Sequence, residues 1–293
     1  MIKSETQAPQ GGTLYVVATP IGNLGDISIR ATKILSCVQV IAAEDTRHTR
    51  ILLNHLGIHQ PRMIALHEHN EARQVLRVLR LLQSGEEVAL VSDAGTPLIS
   101  DPGYRLVRET RRHNLPVSVI PGPSAVTAAL SVSGLGTDRF VFEGFLPARA
   151  AARRSRLQAL SSETRTQVFF ESPRRICNTI DDMVSIFGPE RPLALCRELT
   201  KRFETVLRGS VAEISTILLN DSDQCRGEMV LVVGGADQAA IRTHIDEERL
   251  LDLLAGVLAP RVASEIAARL TGGRKNDYYA RMLQRTRTIT DSE

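Results

Sequence analysis

The stretch ALVSDAGTPLISDPG, Ala89 to Gly103, decides how this chain is read. Its first residues belong to the uninterrupted apolar run Val88–Val91, which suits a strand buried on both faces. Two Gly, two Pro, a Thr and two Asp then intervene before a helical pattern starts at Tyr104. In an open α/β sheet, ligands sit where the carboxyl ends of strands turn into helices. So much backbone freedom at a strand end therefore points to a binding loop.

The same alternation extends to both sides. Leu14–Ala18, Val38–Ala43, Met63–Leu66, Val88–Val91 and Val117–Ile120 read as strands. Ile27–Ser36, Thr46–Leu56 (with Gly57 as its cap), His69–Gln83 and Tyr104–His113 read as helices between them. Apolar strands alternating with helices predict a parallel sheet covered on both faces, an N-terminal α/β domain over 13–123. In a second block, Phe140–Phe145, Gln167–Phe170, Leu193–Arg197, Thr205–Gly209 and Met229–Val233 read as strands, with helices at Pro173–Phe187 and Val211–Asn220. These strands are short and close together, which predicts a mixed sheet in a second α/β domain over 124–238. Beyond Gly234-Gly235 only helical patterns follow, at Asp246–Leu258, Val262–Leu270 and Asn276–Leu283, a small helical domain over 239–293. Residues 1–12, MIKSETQAPQGG, are polar and lack the apolar core of a secretion signal, so a disordered tail is expected there.

Composition narrows the class. With 43% hydrophobic and 24% charged residues over 293 positions, the chain is that of a globular protein of about two domains. No apolar run approaches the length of a membrane span. Cys37, Cys177, Cys196 and Cys225 have no CxxC spacing and suit a reducing cytoplasm better than a disulfide frame or a zinc site. The formal charge is only +3, yet the basic residues are 32 Arg and 4 Lys, and they cluster. Gly144–Arg175 and Gly256–Thr290 each carry a local +5. A GC-rich genome would also enrich Arg, but two basic islands on a near-neutral body suit a phosphate partner.

Five strand ends in succession are unusual: ATPIGNLGD (Ala18–Asp26), AAEDTRHT (Ala42–Thr49), LHEHNE (Leu66–Glu71), the opening stretch, and IPGPSA (Ile120–Ala125). Each alone is ordinary turn chemistry; together, on one sheet edge, they describe a site. The loops contain neither GxGxxG nor GxxxxGK[ST], which disfavours dinucleotide and P-loop chemistry. There is no HExxH, no His/Cys cluster and no GxSxG, so no metal site is expected and no serine hydrolase.

The segments TPIGNLGDIS, EDTRHT, LHEHNE, VSDAGTPLISDPG, IPGPSA, FFESPRR and LCRELTKRFE, in order from about Leu14 to Ala236, resemble the tetrapyrrole methylase superfamily. The first loop has TPIGNLGD where the corrin-ring enzymes carry a GxGPGD-like sequence, so the resemblance is to the RNA branch. GGRKNDYY (Gly272–Tyr279) resembles that branch's small C-terminal domain more loosely. The resemblance implies two α/β domains of tetrapyrrole-methylase type, with S-adenosyl-L-methionine folded in the cleft between them. It also implies a homodimer and 2′-O-methylation of a cytidine ribose in the decoding region of 16S rRNA, with the small ribosomal subunit as partner. A tetrapyrrole, small-molecule or protein methylase and a non-enzymatic RNA-binding relative remain as alternatives.

Carried onto this chain, the cofactor site comprises Pro20, Asp93, Ala94, Gly95, Thr96 and Pro97, with Ser124 and Ala125 opposite. Phe170, Glu171, Leu195, Cys196, Arg197, Met229 and Val230 supply an apolar and main-chain wall for the adenine. Gly95 permits a close main-chain approach, Pro97 and Pro123 preset φ, and Ser124 either meets the cofactor or only caps the next helix. A ribose hydroxyl is a poor nucleophile, so a base or cation beside it would help. Candidates on the same edge are Glu44, Asp45, Arg47, His67, Glu71 and Lys201. Asp45 is equally suited to a helix cap and His67 to a satisfied strand-end position, so no single base is chosen. Phosphate contacts are expected from Arg149, Arg153, Arg154, Arg156 and Arg174, and from Arg274, Lys275 and Arg281 in the tail.

Overall fold

The computed structural model describes residues 11–237, 247–255 and 257–290. Strands β1 (Leu14–Val17), β2 (Val40–Ala43), β3 (Arg62–Ala65), β4 (Val88–Val91) and β5 (Val117–Ile120) form a sheet in the order β3-β2-β4-β1-β5. Every pairing in it is parallel. Helices α1 (Ile29–Cys37), α2 (Thr46–His55), α3 (Glu71–Gln83) and α4 (Tyr104–Arg112) connect the strands. Side-chain alternation feeds two cores. Leu14, Val40, Ala42, Val88 and Leu90 meet the apolar stripe of α3 on one face. Val17, Ile41, Ala43, Ala89 and Val91 meet α1 and α2 on the other. Each Val or Leu so buried contributes roughly 1.5–3 kcal/mol, which is why these strands read as unbroken apolar runs.

The order of the sheet locates the cleft. β4 and β1 are neighbours, yet the chain leaves β1 toward β2 and leaves β4 toward β5, in opposite directions along the sheet. Diverging connections open a crevice beyond the strand ends.

The second sheet, in the order β6-β7-β10-β8-β9, is mixed as expected. β6 (Phe140–Phe145) pairs parallel with β7 (Thr166–Glu171). β10 (Met229–Val233) runs antiparallel to β7 and β8 (Pro192–Arg197), and β9 (Thr205–Ser210) antiparallel to β8. Helix α5 (Ala125–Ser133) packs Val126, Ala129 and Leu130 on Val168, Ala194, Cys196 and Val230 of this sheet. α8 (Val211–Asn220) matches its expected range, opened by a full capping box between Ser210 and Glu213, while α7 (Ile176–Phe187) ends as expected but starts three residues later than Pro173.

One helix is not evident from the sequence pattern: α6 (Ala150–Leu160), in the first basic island. Its inward positions are Arg153, Leu157 and Leu160 at helical spacing, and an Arg in the stripe hides the period. Both sheets lie within one compact unit (residues 1–157 and 166–234); a second unit joins 158–165 to 235–293. In the latter, α9 (Glu247–Ala255), α10 (Pro260–Thr271) and α11 (Lys275–Thr290) gather around Leu251, Ala263, Ala267, Tyr278 and Met282. Residues 1–10 of the expected tail, and Asp246, lie outside the described residues. Gly12 is already tied in, its N–H donating to the Leu82 carbonyl at 2.7 Å. Among the described residues no helix is long and apolar enough to cross a membrane.

Candidate active site

The β1 and β4 loops are stitched together. Thr19 and Gly95 exchange backbone hydrogen bonds of 2.9 and 3.1 Å, and the Thr19 hydroxyl donates to the Ser92 carbonyl at 3.2 Å. Gly95 has φ +84°, and a Cβ there would meet Ile21 Cγ2 at 3.3 Å. Its main-chain groups are spent on Thr19, so it shapes the cradle more than it lends donors. The Thr96 hydroxyl donates to the Pro123 carbonyl at 3.0 Å, fastening the β4 loop to the PGPSA turn. Ser124 stands at the N-cap of α5 in extended conformation but makes no side-chain cap bond. The capping role is thus not taken up, and its hydroxyl is left beside the cavity.

Left-handed backbone at residues other than glycine is costly and gathers at functional sites. Leu98 and Ser100 in the β4 loop, and Glu198 and Thr200 after β8, have φ +76°, +66°, +49° and +66°.

These loops border a cavity of about 390 Å³, within the range of small-ligand sites. Much of the lining is apolar: Ile21, Ala125, Phe145, Phe170, Cys196, Leu199, Met229 and Val230. Phe170 meets Phe142 and Phe145 edge-on at 4.9 and 5.5 Å between centroids. Strict alternation would turn Phe145 to the face opposite Phe142. A register shift between Phe142 and Gly144 brings both rings to Phe170, and this is why the sequence did not disclose Phe145. Burial pushes the Cys196 thiol up to about 12, so it stays protonated and serves as wall.

The lining also carries the acidic residues Glu44, Asp93 and Asp101, with Glu171 and Glu228. The Asp93 carboxylate accepts from the Asp45 N–H at 2.9 Å and stands 3.7 Å from His48 Nδ1. The Glu44 carboxylate accepts from the Asp93 N–H at 3.4 Å. Burial first, then the carboxylates of Asp93, Glu68 and Asp45, push the Glu44 carboxyl up, against that backbone bond. Asp101, absent from the expected site, is raised to about 6, by burial, then by Glu44 and Asp93, while the Ser92 hydroxyl holds it down. Its signal was present as the second Asp of the opening stretch.

Thus Asp93, Ala94, Gly95, Thr96, Ser124, Ala125, Phe170, Glu171, Cys196, Met229 and Val230 of the expected cofactor set are brought together. Several residues depart from expectation. Pro97 is buried outside the lining. Pro20 lies in an adjoining depression with Lys201 and His48. Leu195 alternates away from Cys196 into the opposite core, and Arg197 is held by the Arg226 carbonyl and Thr205 at 3.3 and 3.1 Å. The Glu171 side chain turns away from the cavity to Arg175 and Thr179, both at 2.7 Å. It anchors α7, and only its backbone end borders the site.

The proton-handling candidates separate likewise. Asp45 is the N-cap of α2, accepting from the Arg47 N–H at 2.8 Å and pairing with its guanidinium at 2.7 Å, which holds its carboxyl below the usual range. Glu71 accepts from the N–H groups of Gly103 and Arg105 at 3.1 and 3.2 Å, supplying the start of α4 with the cap Gly103 lacks. His67 is tied to Asn70 at 3.0 Å. Lys201 lies 2.9 Å from both Glu198 and Glu228; burial would lower its ammonium, but the two carboxylates outweigh this and raise it. It is a cation, not a base. Only Glu44 of this set borders the cavity.

Arg149 and Arg174 are exposed, and the Arg154 side chain is 54% exposed. Arg153 corrects the expectation of an RNA contact: it is buried and ion-paired with Asp182 at 2.7 Å. Arg156 is held by Glu143. In the tail Lys275 pairs with Glu265 at 3.0 Å and Arg281 with Glu247 at 2.6 Å, while Arg274 is exposed.

The donor set fits S-adenosylmethionine. Its sulfonium and ammonium require acidic groups and its adenine apolar ones, and the lining supplies both. The crevice lies at the β1/β4 switch point of the parallel sheet, where open α/β folds bind ligands. The chain belongs to the tetrapyrrole (corrin/porphyrin) methylase family, whose model matches residues 13–215. It is similar to the ribosomal RNA small subunit methyltransferase I of Xylella fastidiosa (strain Temecula1), 52% identical over 269 residues, 92% of this chain and 98% of that protein. The protein of the same name from Pseudomonas aeruginosa (strain PAO1) is 51% identical over 276 residues, 94% of this chain and 98% of its own. Among solved structures, uroporphyrin-III C-methyltransferase from Thermus thermophilus complexed with S-adenyl homocysteine shares the fold. Its TM-score is 0.52 at 18% identity, over 76% of this chain and 97% of that one.

Proposed function

We infer that the chain is an S-adenosylmethionine-dependent methyltransferase of small-subunit ribosomal RNA. The near full-length similarity to proteins of that name carries the reading, and the apolar and acidic lining of the cavity supports it. The finer reading is 2′-O-methylation of a cytidine ribose in the decoding region of 16S rRNA, by a cytoplasmic homodimer.

When bound, the donor supplies a methyl group already activated by the sulfonium. The chain's task is then positioning and the handling of one proton. Phe170, Cys196, Met229 and Val230 hold the adenine end and exclude water from it. Gly95 and Thr96, fixed by Thr19 and Pro123, set the curvature of the cradle. Glu44 and Asp93 face the cationic end. Exposed Arg149, Arg154 and Arg174 hold phosphates, and this favours RNA over a tetrapyrrole.

Labelled donor offered to purified small subunits and, separately, to a precorrin-type tetrapyrrole tests the substrate class. Label on the ribose 2′-oxygen of 16S rRNA is expected. Label on the tetrapyrrole alone would overturn the reading, and label on neither would point to a non-enzymatic binder.

A further inference from the structure

The base for the acceptor hydroxyl can be narrowed to one residue. Asp45 and Glu71 are spent as helix caps, His67 is tied to Asn70, and Lys201 is a double-paired cation. None of these four borders the cavity that holds the donor set. Five acidic residues do: Glu44, Asp93, Asp101, Glu171 and Glu228. The Glu171 carboxylate is held by Arg175 and Thr179, and that of Glu228 by Lys201. Asp93 is engaged through both oxygens, one with the Asp45 N–H and the other facing His48. Glu44 receives the Asp93 N–H. Asp101 is left with the Ser92 hydroxyl, and it follows Ser100, whose left-handed backbone sets the course of the loop beside the cavity.

We propose that Asp101, bordering the cavity beside Glu44, is the catalytic base of the methyl transfer. The proposal rests on the reading of the chain as an RNA 2′-O-methyltransferase. The proton of the attacking hydroxyl passes to the Asp101 carboxylate as the oxygen–carbon bond forms and the sulfur–carbon bond breaks. The products are a ribose methyl ether, a neutral thioether and a protonated Asp101, which returns its proton to water through the open mouth of the cleft.

The surroundings suit this. Facing Asp101 are Glu44 from the end of β2, and Ser92 and Asp93 from the end of β4. Two residues on, Glu71 of α3 takes the Gly103 N–H, and its nearest cation, Arg105 of α4, is 3.7 Å from that carboxylate. Burial raises both Asp101 and Glu44, and the charged groups that act on them, all carboxylates, add to it. An Asp raised to about 6 is ionised at neutral pH yet accepts a proton far more readily than an ordinary one.

The test uses the full chain, Asp101→Asn, and small ribosomal subunits. Turnover at saturating donor should rise with pH through about 6 and then level in the unaltered protein. In Asp101→Asn it should fall by about 100-fold or more and lose that rise, while calorimetric donor affinity stays within about threefold. Without donor or RNA, carbon-13 NMR of the Asp101 carboxyl should show a midpoint near 6, moved down by Glu44→Gln. Unchanged turnover in Asp101→Asn, or a rise that survives it, overturns the proposal. So does a loss confined to donor affinity, which would make Asp101 a counter-ion of the donor. If the unaltered protein methylates no ribosomal RNA, it is the functional reading that fails.

Discussion

Gly95 satisfies two demands at once, a left-handed backbone and an open cradle. With φ +84°, any side chain there costs about 1–2 kcal/mol, and a long one also enters the space beside Ile21. Gly95→Ala should therefore lose stability with a modest loss of donor affinity. Gly95→Leu should lose about as much stability but at least tenfold in donor affinity by calorimetry. Equal affinities in the two variants would show that the loop does not hold the donor. Asp101 ties stability to pH. Its folded-state value of about 6 lies above the ordinary 3.8, so the folded protein binds the extra proton between those values. Stability attached to this group is present below about pH 4 and is lost as pH rises through about 6. Asp101→Asn escapes that loss. In urea titrations its advantage over the unaltered protein should be larger at pH 8 than at pH 4.5, by on the order of 1 kcal/mol after allowance for partial exposure.

At the scale of elements, α6 combines one buried cation with exposed ones. Arg153→Ala strands Asp182, whose other partner, Arg154, is 3.6 Å away and half exposed. Thermal or urea unfolding should register a loss of about 3 kcal/mol, reduced when Asp182 is also replaced. Arg149→Ala and Arg154→Ala should stay within about 0.5 kcal/mol. If Arg153→Ala proved as mild as they are, α6 would not be held as described. The same distinction decides which substitutions can probe RNA, since a variant that loosens α6 would weaken binding indirectly.

For the molecule as a whole, RNA affinity should depend on the exposed cations and on salt. Replacing Arg149, Arg154 and Arg174 together by Ala should weaken binding to small subunits. The salt slope should fall by roughly 0.7–0.9 for each phosphate that is no longer neutralised. Donor affinity should not change. An unaltered slope would place the RNA elsewhere on the surface. Assembly is open to a direct measurement, because light scattering of a homodimer gives twice the 32.2 kDa of one chain. Ile29 and Val119, 90% and 62% exposed, are apolar surface for such pairing. A mass of one chain at micromolar concentration would exclude it.

The sequence by itself determined the strands and their class. Val88–Val91 is apolar at every position because a central parallel strand is covered twice, and that property is local. It also pointed to the strand-end loops, and four of the five border the cavity; LHEHNE does not, its His67 being tied to Asn70 and its Glu71 to the start of α4. Which of those side chains face the cleft was decided only by the tertiary structure. Glu71 and Asp45 have the composition of a base but cap helices, a role set by where α4 and α2 begin. Asp101 stood in the quoted stretch as one more turn residue until folding put it beside Glu44 and Asp93. Phe145 depended on a bulge that breaks the two-residue period. Arg153 depended on Asp182, 29 positions away. Periodicity records which face of an element is covered; it does not record the partner that covers it, and charge acquires its role from that partner.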